Sequence, residues 1–213
     1  ESILVDACNP TTACPGSSEG QNEMVRFRVG PAPVALSNLE ADWPNGSWRG
    51  LVQNATTASI TAQLNATLTS CGLLVEPPQG IIPAGAQVLL ITSTEMCVAG
   101  NSFAALADTL HIIFQEAGNT AGHFANSPAA GQPVSPTPPS GLGQRTLILF
   151  DNGTNCSDTA TYVRELLVNN LGSYGGMSGE SDGGTAEFSW PGLPQATYVN
   201  YGCQAPFTPL LVE

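Results

Sequence analysis

Met24-Val25-Arg26-Phe27-Arg28-Val29 alternates with a period of two, placing Val25, Phe27 and Val29 on one face and both arginines on the other. Extended backbone sends successive side chains to opposite sides of a sheet, so this is the pattern of a half-buried strand. Gly30-Pro31-Ala32-Pro33 ends it, because proline withholds an amide from the ladder and glycine admits a turn. The same grammar repeats outward from this strand. Ser2-Ile3-Leu4-Val5-Asp6-Ala7 precedes it, and stretches 36–43 and 59–68 follow it as further strands, separated by Pro44-Asn45-Gly46. A short apolar run at 72–76 stops at Pro77-Pro78, and Gln87-Val88-Leu89-Leu90-Ile91-Thr92-Ser93 reads as a central strand buried on both faces. Stretches 108–116, 146–150, 186–190 and 196–201 continue the series, while 160–169 reads equally as a strand or one short helix. About ten strands at this spacing predict an all-β fold, an antiparallel β-sandwich.

With 213 residues the chain can bury one sizeable core. The expected organisation is a single domain over 1–213, with a core at about 1–120, an exposed Pro-rich loop at 127–144 and additional strands at 145–213. Charged residues make up 10% of the chain, lysine is absent, and the formal net charge is −12. Such a surface repels phosphate backbones and anionic lipid, so nucleic acid and membrane surfaces are poor partners. No apolar run is long enough to span a bilayer. No signal segment opens the chain, and Glu1 in place of an initiator methionine reads as a processed start.

Six cysteines, Cys8, Cys14, Cys71, Cys97, Cys156 and Cys203, form an even set without a CxxC pair. Zinc sites favour close pairs, so disulfides are the better reading, and they place the chain in an oxidising, extracellular setting. Nearest-neighbour pairing is the expectation: Cys8–Cys14, Cys71–Cys97 and Cys156–Cys203.

Two sets of stretches carry a family resemblance. Ile3-Leu4-Val5-Asp6, then Gly20-Gln21-Asn22-Glu23-Met24-Val25-Arg26-Phe27, Leu36-Ser37-Asn38-Leu39 and Ile82-Pro83-Ala84-Gly85-Ala86-Gln87-Val88-Leu89-Leu90 resemble lamin-tail-type domains over about residues 1–120. That resemblance implies an elaborated immunoglobulin-like β-sandwich. Glu19 to Phe27, Trp43-Pro44-Asn45, Gly122-His123-Phe124-Ala125-Asn126 and Tyr201-Gly202-Cys203-Gln204-Ala205-Pro206-Phe207 resemble the N-terminal modules of large type IX-secreted surface proteins of gliding bacteria. It implies an adhesin or filament subunit on the bacterial outer cell surface, acting through self-association or as part of a larger surface protein. It also implies O-glycosylation at Thr109 and Thr159, in Asp108-Thr109-Leu110 and Asp158-Thr159-Ala160.

The residues supply few catalytic options. Gly16-Ser17-Ser18-Glu19-Gly20 has the GxSxG spelling but precedes a strand, whereas a nucleophile elbow follows one. His111 alternates within a strand and His123 sits in a Gly/Asn-rich turn, so both read as structural. The expectation is a non-enzymatic protein. Calcium has a better claim, since it wants several hard oxygens. Asp151-Asn152-Gly153-Thr154-Asn155-Cys156-Ser157-Asp158 offers Asp151, Asn155 and Asp158 as ligands, against the ordinary alternative of an Asx-rich turn. Glu180-Ser181-Asp182-Gly183-Gly184 is a second acidic loop, and Asp6, Glu19 and Glu23 a third cluster if the first hairpin folds back. N-glycosylation sequons stand at Asn45, Asn54, Asn65, Asn152 and Asn155. Trp43 and Trp48 flank a turn, a position suited to stacking on sugar rings, with capping of the core as the alternative. The leading expectation is a structural or adhesive module whose strands no lysine guards; a carbohydrate-binding, calcium-dependent module is the second.

Overall fold

The computed structural model describes residues 2–5, 7–8, 12–118, 122–124, 143–168, 183–189 and 196–202. The Pro-rich stretch, the 180–182 acids, Asp6 and Cys203 lie outside them. In chain order the elements are β1 (Ser2–Leu4), β2 (Met24–Arg28), β3 (Val34–Ala35), β4 (Leu39–Asp42), β5 (Leu51–Val52), α1 (Ala55–Asn65) and β6 (Leu73–Val75). They continue with β7 (Ile81–Ile82), β8 (Gln87–Ile91), β9 (Thr109–Gln115), β10 (Gln144–Asp151), β11 (Cys156–Val163), β12 (Gly184–Phe188) and β13 (Ala196–Asn200).

The fold is an all-β sandwich with one helix on its flank. An eight-stranded sheet runs β13-β12-β1-β2-β8-β9-β5, with β6 also on β9, and a three-stranded sheet runs β11-β10-β4. Alternation divides the apolar residues between two cores. Ile3, Val25, Val88, Leu90 and Ile113 face the small sheet, where Leu39, Ala41, Leu147 and Tyr162 meet them. Leu4, Met24, Leu89, Ile91, Ile112 and Phe114 face the other way, onto Ile60 and Leu64 of the helix and onto Leu74, Phe103 and Leu106. The continuous run Val88-Leu89-Leu90-Ile91 is therefore buried on both faces.

Two expectations are corrected. Stretch 59–68 is not a strand: α1 occupies 55–65. The Asn54 side chain accepts from the backbone N–H of Thr56 and Thr57, which caps the first turn. Thr57, Ile60, Thr61 and Leu64 are its buried residues, at helical spacing. The high Thr and Ile content reads as strand; the cap and the spacing override it. The large sheet is also not purely antiparallel, since β9 runs parallel to both β8 and β6. Parallel neighbours need a long crossover, and residues 92–108 supply it between β8 and β9. The open alternative at 160–169 resolves into the end of β11, which stops at Val163, followed by a single 3-10 turn, Arg164–Leu166.

The nearest-neighbour cysteine scheme is corrected as well. Cys14 pairs with Cys97, 83 residues away, and ties the first loop to the crossover after β8. Cys8 is also disulfide-bonded. Cys71 and Cys156 are exposed thiols, so Cys71–Cys97 and Cys156–Cys203 do not form. Buried Asn22 reinforces the same joint, its Oδ1 accepting from Cys97 N at 2.8 Å and from Asn101 Nδ2 at 2.9 Å. Replacing Cys97 by serine is expected to lower unfolding stability by about 2–5 kcal/mol in urea, because a long loop is released in the unfolded chain. Cys71→Ser and Cys156→Ser are expected to change it by less than about 0.5 kcal/mol, as exposed substitutions do.

Candidate functional site

Two sealed pairs of ionisable side chains occur among the described residues, Arg164–Glu165 on the turn after β11, 3.1 Å apart, and Glu23–His123, which anchors the wider network. Glu23 precedes β2, Gln115 ends β9 and Trp43 follows β4, so the three meet at one end of the sheets, where the 122–124 segment crosses them. Glu23 and His123 are 2% and 0% exposed. One Glu23 oxygen, Oε2, accepts from His123 N at 2.7 Å and lies 3.0 Å from His123 Nδ1, while Oε1 accepts from Phe124 N at 3.3 Å. Burial pushes the Glu23 carboxyl above its ordinary range, and these His123 and Phe124 donors pull it part of the way back.

Hydrogen-bond logic fixes the protons. The indole N–H of Trp43 can only donate, so the Gln115 atom it meets at 2.8 Å is Oε1. The amide NH₂ of Gln115 then faces Thr92 O at 3.1 Å and His123 Nε2 at 2.7 Å. That makes Nε2 the acceptor, so the ring proton sits on Nδ1 and is donated to Glu23. Trp43 also packs edge-on against His123 and Phe124. Gly122 is obligatory beside this carboxylate: its φ is +87°, and a Cβ there would stand 3.0 Å from Glu23 Oε1. Every polar side-chain atom of Gln115 is engaged and the group is closed to solvent, which makes it a clamp and leaves no room for a reactant.

The structure disperses the residues the sequence nominated. Among the described residues no cluster of three or more His, Cys, Asp or Glu could hold a metal ion. Asp151 instead closes the β10–β11 hairpin, accepting from Gly153 N and Thr154 Oγ1, and Asp158 Oδ1 accepts from Thr159 N. Asn155 sits at the hairpin tip with φ +54°. Of the expected calcium ligands, Asp151 and Asn155 thus belong to an Asx-type hairpin turn and Asp158 to β11, and Glu23 is bonded to His123. Trp43 is 5% exposed and cannot meet a sugar; Trp48 is half-buried against it, with ring centroids 6.0 Å apart. Thr109 and Thr159 are exposed on β9 and β11. Of the sequon asparagines, Asn45, Asn65 and Asn152 donate their side-chain amides to Gly122 O, Leu74 O and Glu40 Oε2, and Asn54 caps the helix. His111 is half-buried on β9, with Nδ1 buried and without a hydrogen-bond partner. Ser18 of the GxSxG stretch precedes a 3-10 turn, and its backbone N–H bonds to Gln21 Oε1.

The open part of the molecule lies elsewhere, between the sheets beside β11. Ile3, Val25 and Phe27 of the large sheet, with Phe188 of β12, face Leu147, Leu149 and Ala160 of the small sheet across a cleft of about 70 Å³. A wider trough of about 440 Å³ adjoins it, sharing Phe27, Leu149 and Asp158 and reaching Val34 and Ile82. The cause is visible along β11. Its even-numbered residues point toward the core: Tyr162 is buried, Ala160 half-buried, and Asp158 and Cys156 exposed. The hairpin thus runs out past the sheet it packs on, and the described residues leave its inner face uncovered. Sequence reading missed this site because each apolar residue in it looks like ordinary core. An aspartate at an inward position of β11, Asp158, was the available signal; likewise Gln115, an amide directly after the apolar run Ile112-Ile113-Phe114, announced the clamp.

No family model, no curated protein and no solved structure matches the chain.

Replacing Gln115 by leucine, close in volume, strands the Trp43 N–H, the Thr92 carbonyl and His123 Nε2. We expect a loss of about 2–4 kcal/mol in denaturant titration, from unpaired buried groups. Adding Trp43→Phe should cost less than the sum of the two single changes. His111 carries a second expectation. Burial lowers its pKa below the ordinary 6.5, so the unfolded chain takes up a proton first as pH falls. Stability present above about pH 6.5 is then lost progressively as the pH falls below it. His111→Leu should flatten that part of a melting-temperature profile.

Proposed function

We propose that this chain is an exported, non-enzymatic structural or adhesive module of the bacterial outer cell surface, working by docking, either as a subunit or within a larger surface protein. One contrast carries the reading. Among the described residues the buried titratable side chains pair off as Glu23 with His123 and Arg164 with Glu165, and both pairs are sealed inside. What the molecule offers to solvent is an apolar cleft and a strand edge. Binding surfaces are built from such features, whereas catalysis needs reactive groups that a substrate can reach. The Cys14–Cys97 disulfide is compatible with an oxidising compartment. No described helix is long and apolar enough to cross a membrane. The resemblance to surface modules of gliding bacteria points the same way.

Negative-stain electron microscopy of the native material, joined to a binding assay on the producing cells, tests this. Ordered fibres, sheets or cell-attached particles are expected. Dispersed monomers that leave the cell surface bare would overturn the proposal.

A further inference from the structure

The register of the small sheet shows which peptide groups of β11 face outward. Arg164 N donates to Gly143 O, continuing the pairing of Val163 with Gln144, so the even-numbered residues of β11 bond to β10. Ser157, Thr159, Thr161 and Val163 therefore turn their backbone groups away from the sheet. Two of these amides are already occupied: Thr159 N by Asp158 Oδ1 at 2.8 Å and Val163 N by Tyr198 Oη at 2.7 Å. Among the described residues nothing meets the amides of Ser157 and Thr161. The Tyr198 bond closes the far end, so the vacant edge is confined to 157–161, roughly 13 Å of extended chain.

The cleft lies directly beneath this edge. Thr159 and Ala160 form part of its wall, opposite Ile3 and Phe188. At about 70 Å³ it is far smaller than the roughly 150 Å³ cavity that takes a benzene ring, so it admits the branched end of one aliphatic side chain. A strand laid against 157–161 would point alternate side chains into it. Main-chain pairing with a side-chain pocket alongside is the arrangement by which extended segments add to a sheet.

We propose that the 157–161 edge receives an extended segment of another protein as an added strand, with one Val, Leu or Ile in the cleft and a Lys or Arg beside Asp158. Charge selects this occupant. Asp158 lies at the junction of the cleft and the trough; Arg26 of the cleft is paired with Asp108 at 3.9 Å, Arg28 of the trough is outnumbered there by Asp151 and Asp158, and the chain carries a formal net charge of −12 with no lysine. A second folded copy brings the same negative charge to the contact, whereas a basic segment relieves it. Asp158 turning to the incoming cation also releases Thr159 N–H, a third donor for the added strand. This rests on the docking role proposed above and adds the kind of partner and its seat.

The test is selection from a phage-displayed library of random peptides of about nine residues on the whole protein, with counter-selection on Thr161→Pro. That proline removes an amide facing away from β10, so the ladder and the melting temperature are expected to persist, as for prolines on edge strands. Ala160→Leu, which fills the cleft, is the second variant, and Thr161→Val, which keeps the amide, is the control. Enriched peptides should alternate aliphatic and polar residues and carry Lys or Arg. Their synthetic forms should bind the native chain and Thr161→Val at least about ten-fold more tightly than Thr161→Pro or Ala160→Leu. Asp158→Asn should abolish the preference for basic residues. Absence of enrichment, or equal binding to Thr161→Pro and Ala160→Leu, overturns the proposal. So does native dimerisation in light scattering that Thr161→Pro removes, which would give the edge to a second copy. Cell-attached particles in the microscope together with a failed selection would leave the module standing and remove only this seat.

Discussion

A single buried carboxylate organises this molecule. Glu23 stands at the entry to β2, and its two oxygens take backbone and side-chain donors from residues a hundred positions further along the chain. Through His123 the constraint passes to Gln115 at the end of β9, and through Gln115 to Trp43 beyond β4. Strands from both sheets are thus referred to one point. Apolar contact alone tolerates sliding of one sheet over another; a chain of donors and acceptors in which each partner has one role does not. In a protein with few charges, this is where the relative placement of the sheets is decided.

The clamp and the opposite, open end of the sandwich are complementary consequences of the same packing. Near Glu23 the sheets close on aromatic rings: Trp43, Phe124 and Tyr162 fill the space, and burial raises the Tyr162 hydroxyl far above its ordinary pKa. Toward the β10–β11 tip the large sheet ends while the hairpin continues, and the interior fades from aromatic rings to Leu149, Phe27 and then water. The molecule is anchored at one end and unfinished at the other.

Much of the framework was legible from alternation. Val25, Phe27 and Val29 share the face expected of them, and the four-residue apolar run of β8 is buried on both sides. Alternation says nothing about which strand lies beside which, so the parallel neighbours of β9 were invisible, as was the partner of Cys14. The helix was hidden for another reason: threonine and isoleucine are strand formers by composition, and only the Asn54 cap and the placement of Ile60 and Leu64 reveal the turn. Glu23, His123 and Trp43 each drew notice singly, in an acidic cluster, in a turn and beside a second tryptophan. Their true partners come from distant stretches, and local sequence carries no record of that meeting. Gln115 is the instructive omission, because a buried amide demands a partner.

The seating of β1 has a consequence for how the protein comes into being. This opening strand lies between β2 and β12, and its residues Ser2 to Leu4 pair with Arg26 to Met24 on one side and with Glu187 to Thr185 on the other. The large sheet therefore lacks its β12–β13 edge until residues 184–200 have been delivered. A chain synthesised or threaded through a pore from its N-terminus presents β1 with one side bare for most of that passage. Contacts so distant in sequence form slowly, and an unpaired strand edge invites the wrong neighbour while it waits. A chain delivered in that order would complete the sheet around β1 only when β12 and β13 arrive.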